Sequence, residues 1–284
     1  MVSKKDFSNQ EEITWCPGCG NYSIRMALQK TLAGMEFKPH QVAMVSGIGQ
    51  AGKMPHYLRV NGFNGLHGRA LPAGTALAAV RRDLQVIVES GDGDIYGEGG
   101  NHFLHALRRN PNLALFVHNN QVYGLTKGQA SPTSDLGMKT TVQTKGVQLL
   151  PLNPLALAIA GGAGFVARSF SGKGDHLQEM MKKAIEYPGL SLLDILQPCV
   201  SFNRVNTFQW YRERVYEMGS EHDKEDREKA LKKAEEWGDN IPLGIFYQGK
   251  RAVFAEDFPR LSREEIFDPR PRVNSWTEML EKFK

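Results

Sequence analysis

The chain is 284 residues long, enough for one large core or two modest ones, and its 41 % hydrophobic and 23 % charged residues are ordinary for a soluble globular protein. A formal net charge of +4 is a mild basic bias, compatible with simple solubility or with steering an acidic partner protein. No Lys/Arg run is interleaved with aromatic residues, which excludes a nucleic-acid-binding strip. No apolar segment follows Met1-Val2-Ser3-Lys4-Lys5-Asp6, so no signal peptide is expected. The most apolar stretch, residues 149–166, is broken by Pro151, Pro154 and Gly161-Gly162, which argues against a membrane span and for a cytoplasmic protein.

In chain order, the first feature is Cys16-Pro17-Gly18-Cys19. With Cys199 it accounts for all three cysteines, and an odd number in a chain of this size argues against a disulfide framework. A strand is predicted over 42–45, ending in the turn Ser46-Gly47-Ile48-Gly49. A small-residue helix follows over 72–82, able to pack closely beneath a ligand. A second strand over 84–89 ends at Gly91-Asp92-Gly93-Asp94, a helix covers 99–109, and a third strand over 113–118 ends at Asn119-Asn120. Then come a helix (153–160), a strand (165–170), a helix (176–187) and a strand (191–196) that delivers Cys199. Apolar strands alternating with helices predict an α/β fold, a mostly parallel sheet with helices on both faces, in which ligands gather at the carboxyl ends of the strands. Residues 1–202 are expected to form this cofactor-binding domain. Residues 203–284, with a charged helical pattern over 221–237, read as a C-terminal extension contacting a partner, anchored by Trp210 and Tyr211.

The chemistry concentrates in two constellations. A carboxylate at one strand end (Asp92) and an amide oxygen at the next (Asn120) suit a hard divalent cation that keeps coordination positions for phosphate oxygens, the usual habit of Mg²⁺. Glycines on both sides of Asp92 let the backbone approach a diphosphate. The second constellation is the C-x-x-C with Cys199, for which an iron–sulfur cluster, zinc and redox-active thiols are all open readings. His102 and His105, one turn apart on the 99–109 helix, and His118 on a buried strand read as cap and packing residues.

The Gly91-Asp92-Gly93 … Asn119-Asn120 pattern resembles the thiamine diphosphate motif. Together with Trp15-Cys16-Pro17-Gly18-Cys19-Gly20, Ser46-Gly47-Ile48-Gly49, Leu66-His67-Gly68-Arg69-Ala70 and Tyr123-Gly124-Leu125-Thr126-Lys127-Gly128-Gln129, it makes residues 12–214 resemble the β subunit of 2-oxoacid:ferredoxin oxidoreductases. The resemblance implies Mg²⁺ on Asp92, Asn120 and the Val122 carbonyl. It implies cofactor contacts from Gly49, His67, Gly91, Gly93, Asp94, Tyr123, Gly124, Leu125 and Thr126, and Lys53 and Lys127 as catalytic residues near a 2-oxoacid carboxylate. It also implies a 4Fe–4S cluster on Cys16, Cys19 and Cys199. The family's usual fourth cysteine, after S-G-I-G, is here Gln50. A 4Fe–4S cluster with a non-cysteine ligand, a 3Fe–4S cluster and no cluster all remain open.

The reaction implied is CoA-dependent oxidative decarboxylation of a 2-oxoacid, with electrons passed to ferredoxin. The glutamate that activates thiamine belongs to a pyrimidine-binding domain not found in this chain, so an α subunit is the expected partner. A non-oxidative thiamine-dependent decarboxylase or ligase subunit, with zinc or nothing on the cysteines, and a non-catalytic metal-binding scaffold are the competing readings.

Overall fold

In the computed structural model, which describes residues 2–254 together with 280 and 281, the apolar runs form the centre of one sheet. The strands are β1 (Val42–Ser46), β2 (Asn61–Asn64), β3 (Gln85–Gly91), β4 (Leu113–Asn119), β5 (Val122–Tyr123), β6 (Gln129–Ala130), β7 (Phe165–Phe170), β8 (Leu190–Leu196), β9 (Val215–Glu217) and β10 (Ile241–Gln248). The α-helices are α1 (Gly20–Gly34), α2 (Ala70–Val80), α3 (Gly100–Arg109), α4 (Pro154–Ala160), α5 (Gly174–Glu186), α6 (Phe208–Arg212) and α7 (Arg227–Ala234). Eight strands make the main sheet in the order β2-β1-β3-β4-β8-β7-β10-β9, and β5 and β6 form a separate hairpin. Every neighbouring pair in the main sheet is parallel except β10 with β7.

All residues of β4, β7 and β8 are buried, as expected for strands covered on both faces. Alternate side chains serve two cores. Phe116 and Leu193 meet Ile24, Leu28, Leu177 and Met181 from α1 and α5 on one face. Leu115, Val117 and Leu192 meet Leu71, Phe103, Leu155 and Ala230 from α2, α3, α4 and α7 on the other. The predicted fold class holds.

Helix α1 was not predicted, although Ile24, Ala27, Leu28, Thr31 and Leu32 repeat at helical spacing and are buried. Helix α2 begins two residues earlier than expected, with Pro72 tolerated in its first turn. A Cβ on Gly74 would lie 2.4 Å from Val88 Cγ2, so this small-residue helix does press onto the sheet. The helical pattern at 221–237 shortens to α7, whose start is fixed by the Asp226 side chain accepting from the N–H groups of Glu228 and Lys229.

The strands after residue 203 join the sheet: β10 pairs antiparallel with β7, and β9 pairs parallel with β10. Beyond the expected boundary at 202, β9 and β10 are therefore part of the same eight-stranded sheet. The part of the expected extension over 255–279 and 282–284 lies outside the described residues. Among the described residues, no helix is long and apolar enough to cross a membrane.

Parallel strands end on the same side. The Ser46–Gly49 turn follows β1, Asp92 follows β3, Asn120 follows β4 and Cys199 lies beyond β8, so one sheet edge gathers both constellations.

Candidate functional site

From β3 the chain passes through Asp92 directly into a π-helix, Gly93–Glu98. Asp92 is 1 % exposed. Its Oδ2 accepts hydrogen bonds from Ser131 Oγ at 2.5 Å and Thr133 Oγ1 at 2.7 Å, and the Asn120 backbone N–H also donates to the carboxylate. Burial pushes the Asp92 carboxyl up to about 6; the hydroxyls and the amide oppose that push, while the charge of buried Asp194 adds to it. Ser131 and Thr133 were missed in the sequence; only their place in the loop after the Gly124–Gln129 motif hinted at them.

Asn120 Oδ1 accepts from the Val122 N–H at 3.1 Å, a local turn that leaves a second lone pair free, and its Nδ2 donates to Gln197 Oε1 at 3.1 Å. Between them Gln121 adopts a left-handed conformation, φ 60°. Its buried side chain donates to Thr133 O at 2.7 Å and accepts from Tyr211 OH at 3.1 Å. Trp237 and Asn206 donate to the Asp135 carboxylate that Gln121 also touches. The C-terminal segment thus braces the turn that aims Asn120 and Val122, and Tyr211 anchors it as expected.

The β5–β6 hairpin carries the rest of the motif. The Tyr123 ring packs against Gly93, where a Cβ would come within 2.4 Å of it. Its hydroxyl donates to Glu98 Oε2 at 3.1 Å and Gly93 O at 3.3 Å, and burial with the nearby Glu98 charge raises its pKa strongly. Leu125, Thr126 and Lys127 are exposed at the tip, where Lys127 takes φ 82°. Gly124 accepts the turn-closing bond from the Lys127 N–H at 3.2 Å.

One carboxylate ties three loops together. Asp94 Oδ1 accepts from the Ile48 N–H at 2.9 Å, the Gly68 N–H at 2.8 Å and His67 Nδ1 at 2.6 Å. Two backbone donors on the same oxygen hold Asp94 as an acceptor, so Nδ1 of His67 carries the shared proton. Gly47 lies against Asp94, where a Cβ would stand 1.9 Å from Oδ2, and Gly49 turns away at φ 125°. Lys53 is directed elsewhere: its Nζ donates to Thr14 Oγ1 at 3.0 Å, just before the cysteine loop.

Cys19 caps the N-terminus of α1, Cys16 is exposed, and Cys199 packs beside Val122, Met138 and Val147. Burial pushes the Cys19 thiol up to about 11, with smaller upward contributions from the charges of Cys199 and Cys16. Ser201 Oγ lies 3.1 Å from Cys16 Sγ, and Gln197 Nε2 donates to Cys19 Sγ at 3.3 Å. Trp15 Nε1 donates to the Gln50 carbonyl at 2.7 Å, which sets Gln50 against the cysteine loop, and Gln50 Oε1 is buried without a hydrogen-bond partner. Among the described residues no three His, Cys, Asp or Glu side chains close around a single ion.

The histidines set aside in the sequence divide. His102 touches the Arg69 guanidinium at the surface. His118 is fully buried between Glu89 Oε1 (2.6 Å) and Asn21 Oδ1 (2.7 Å), joining β3, β4 and α1.

Comparison with known proteins matches residues 40–195 to the thiamine pyrophosphate enzyme, C-terminal TPP binding domain. Residues 199–263 match the C-terminal family of the pyruvate ferredoxin oxidoreductase beta subunit. The chain is 45 % identical to 2-oxoacid:ferredoxin oxidoreductase 1, subunit beta, of Aeropyrum pernix, over 87 % of this chain and 82 % of that one. It is 43 % identical to the 2-oxoglutarate oxidoreductase subunit KorB of Mycobacterium tuberculosis, over 70 % of this chain and 53 % of that one. A solved structure, 2-oxoglutarate:ferredoxin oxidoreductase from Magnetococcus marinus with 2-oxoglutarate, coenzyme A and succinyl-CoA bound, superposes with a TM-score of 0.91 at 32 % identity, covering 99 % of this chain and 96 % of that one.

Proposed function

The chain belongs to the β-subunit family of the 2-oxoacid:ferredoxin oxidoreductases, and from that premise we propose that it carries out the CoA-linked oxidative decarboxylation of a 2-oxoacid, passing electrons through an iron–sulfur cluster to ferredoxin. The observation that carries this reading is the meeting of two unlike donor sets at one sheet edge. Asn120, which with Asp92 offers the hard oxygens, donates through its Nδ2 to Gln197, and Gln197 donates to the soft sulfur of Cys19.

The donor sets fit their groups. Asp92 keeps one oxygen free of the two hydroxyls, and with Asn120 Oδ1 and the Val122 carbonyl it would hold Mg²⁺ and, through it, a diphosphate. Cys16, Cys19 and Cys199 would supply three corners of a cluster, and the Cys19 thiol senses the other two. When bound, thiamine diphosphate supplies the electron sink for loss of CO₂ and the cluster the one-electron acceptor. The chain's own groups position that chemistry. Tyr123 to Thr126 would wrap a diphosphate, His67, held on Asp94, would present its ring to the site, and exposed Lys127 would offer positive charge to a carboxylate, whereas Lys53 is tied to Thr14.

Exposed apolar side chains lie on β2 and in the segments after β2 and β6, among them Phe63, Leu66, Leu136, Val142, Leu149 and Leu150. They suit an α subunit that brings the pyrimidine-binding half. Gln50, standing where the family's cysteine is usual, favours a second reading: a non-oxidative thiamine-dependent subunit without a cluster.

The deciding experiment is anaerobic purification with the co-expressed α subunit, iron and sulfide analysis, and EPR before and after 2-oxoacid and CoA. About four iron with a reduced signal on substrate supports the proposal. About three iron with a signal already present when oxidised means an open corner at Gln50. No iron removes the ferredoxin-linked reaction in favour of the second reading.

A further inference from the structure

Gln197 stands where the two donor sets meet. It follows β8, is 1 % exposed, and its backbone N–H donates to Asn119 O at 2.9 Å. Its side chain crosses the start of α1, where a Cβ on Gly20 would lie 2.7 Å from Gln197 Cγ, so the glycine leaves the room it occupies. Oε1 accepts from Asn120 Nδ2 at 3.1 Å, and Nε2 donates to Cys19 Sγ at 3.3 Å and Pro198 O at 3.2 Å. The partners dictate the orientation of the amide. The Pro198 carbonyl can only accept, and Asn120 turns its oxygen to the Val122 N–H and its NH₂ to Gln197. Two amides therefore run in the same sense from the oxygen-donor site to a cysteine sulfur.

We propose that Gln197 is a positioning residue that couples the cation–diphosphate site to the cluster, raising the cluster's reduction potential when a cation is held at Asn120. This rests on the function proposed above. A cation on Asn120 Oδ1 withdraws electron density from that amide, and its Nδ2–H becomes a stronger donor to Gln197 Oε1. The second amide is polarised in turn, and its Nε2–H bonds Cys19 Sγ more strongly. Reduction adds negative charge to the cluster and its sulfurs, so a stronger N–H···S bond favours the reduced form. The cluster becomes a better electron acceptor when the cofactor site is loaded.

The test is an EPR-monitored redox titration of the complete complex with its α subunit, wild type and Gln197→Met, each with and without Mg²⁺ and thiamine diphosphate. Methionine keeps the length of the side chain and removes all three of its hydrogen bonds, to Asn120, Cys19 and Pro198. Loading is expected to raise the wild-type midpoint, and Gln197→Met to start lower and to respond less. The expected difference is about tenfold in the reduction equilibrium, about 59 mV for a one-electron couple. A purely structural role would change iron content or cofactor affinity but leave the potential of the remaining clusters unmoved, and that result overturns the proposal.

Should Gln197→Met fail to assemble, wild-type complex labelled with ¹⁵N in glutamine side chains decides the matter. Pulsed EPR of the reduced cluster must then show a ¹⁵N coupling that is lost in the isosteric Gln197→Glu; no such coupling overturns the proposal. Wild-type complex without iron removes the proposed function and this coupling together. Iron with an unmoved potential removes the coupling alone.

Discussion

The oxygen-donor pole around Asp92 and the thiol pole around Cys19 share a sheet edge but are finished to different degrees. At Asp92 every neighbour is committed: two hydroxyls and one backbone N–H hold the carboxylate, and the turn through Gln121 is braced by Tyr211 and, through Asp135, by Trp237. At the thiol pole Cys16 is exposed, Cys19 is half covered, and Gln50 brings a buried oxygen with no partner. A buried carboxylate without such support is costly, so its surroundings must be complete in the polypeptide itself. Thiols tolerate an apolar setting as neutral groups and can leave completion to a metal.

That contrast can be broken most decisively at Asp92. Asp92→Asn is expected to lower Mg²⁺-dependent thiamine diphosphate affinity more than about 100-fold, beyond the range typical of supporting residues. Isothermal calorimetry on the complex measures it, and near-native affinity would mean that Asp92 is structural. At the other pole, Gln50→Cys should raise iron from about three to about four per chain if the corner is open, read by iron analysis and loss of the oxidised-state EPR signal. Unchanged iron would show that the Gln50 position faces away from the cluster.

Thr133→Val removes one of the two hydroxyls on Asp92 Oδ2. It should weaken metal binding by about 10-fold, the lower end for a supporting hydrogen bond, with Mn²⁺ EPR as the readout. An effect as large as that of Asp92→Asn would mean that the turn itself had collapsed.

The smallest expected effect is the dependence on pH. With its carboxyl raised to about 6 in the metal-free chain, Asp92 is protonated below that pH, so Mg²⁺ affinity should fall as pH drops through 6. The stability of the metal-free chain runs the other way. Between the ordinary carboxylate range and pH 6 the folded state binds more protons than the unfolded one, so stability decreases as pH rises across that window. Thermal melts of wild type and Asp92→Asn should be closest at low pH, separate between the ordinary carboxylate range and about 6, and keep a constant offset above it; curves parallel across that window would remove Asp92 as the responsible group.

The sequence by itself determined the α/β class and nearly every central strand, because strands buried on both faces must be apolar throughout and are bounded by glycine, proline or asparagine. It also determined which strand ends carry Asp92, Asn120 and Cys199, since those residues follow directly on apolar runs. Local pattern did not reveal α1, whose stripe is interrupted by polar residues, nor that β9 and β10 extend the sheet, because an edge pairing with β7 joins residues far apart in the chain. Only the tertiary structure brought Ser131 and Thr133 onto Asp92, His67 onto Asp94, and Gln197 between Asn120 and Cys19. Each of these is a hydrogen bond between residues 27 to 178 positions apart. No periodicity encodes such a bond; it exists because parallel strands deliver separate loops to one edge, where buried polar groups must find partners.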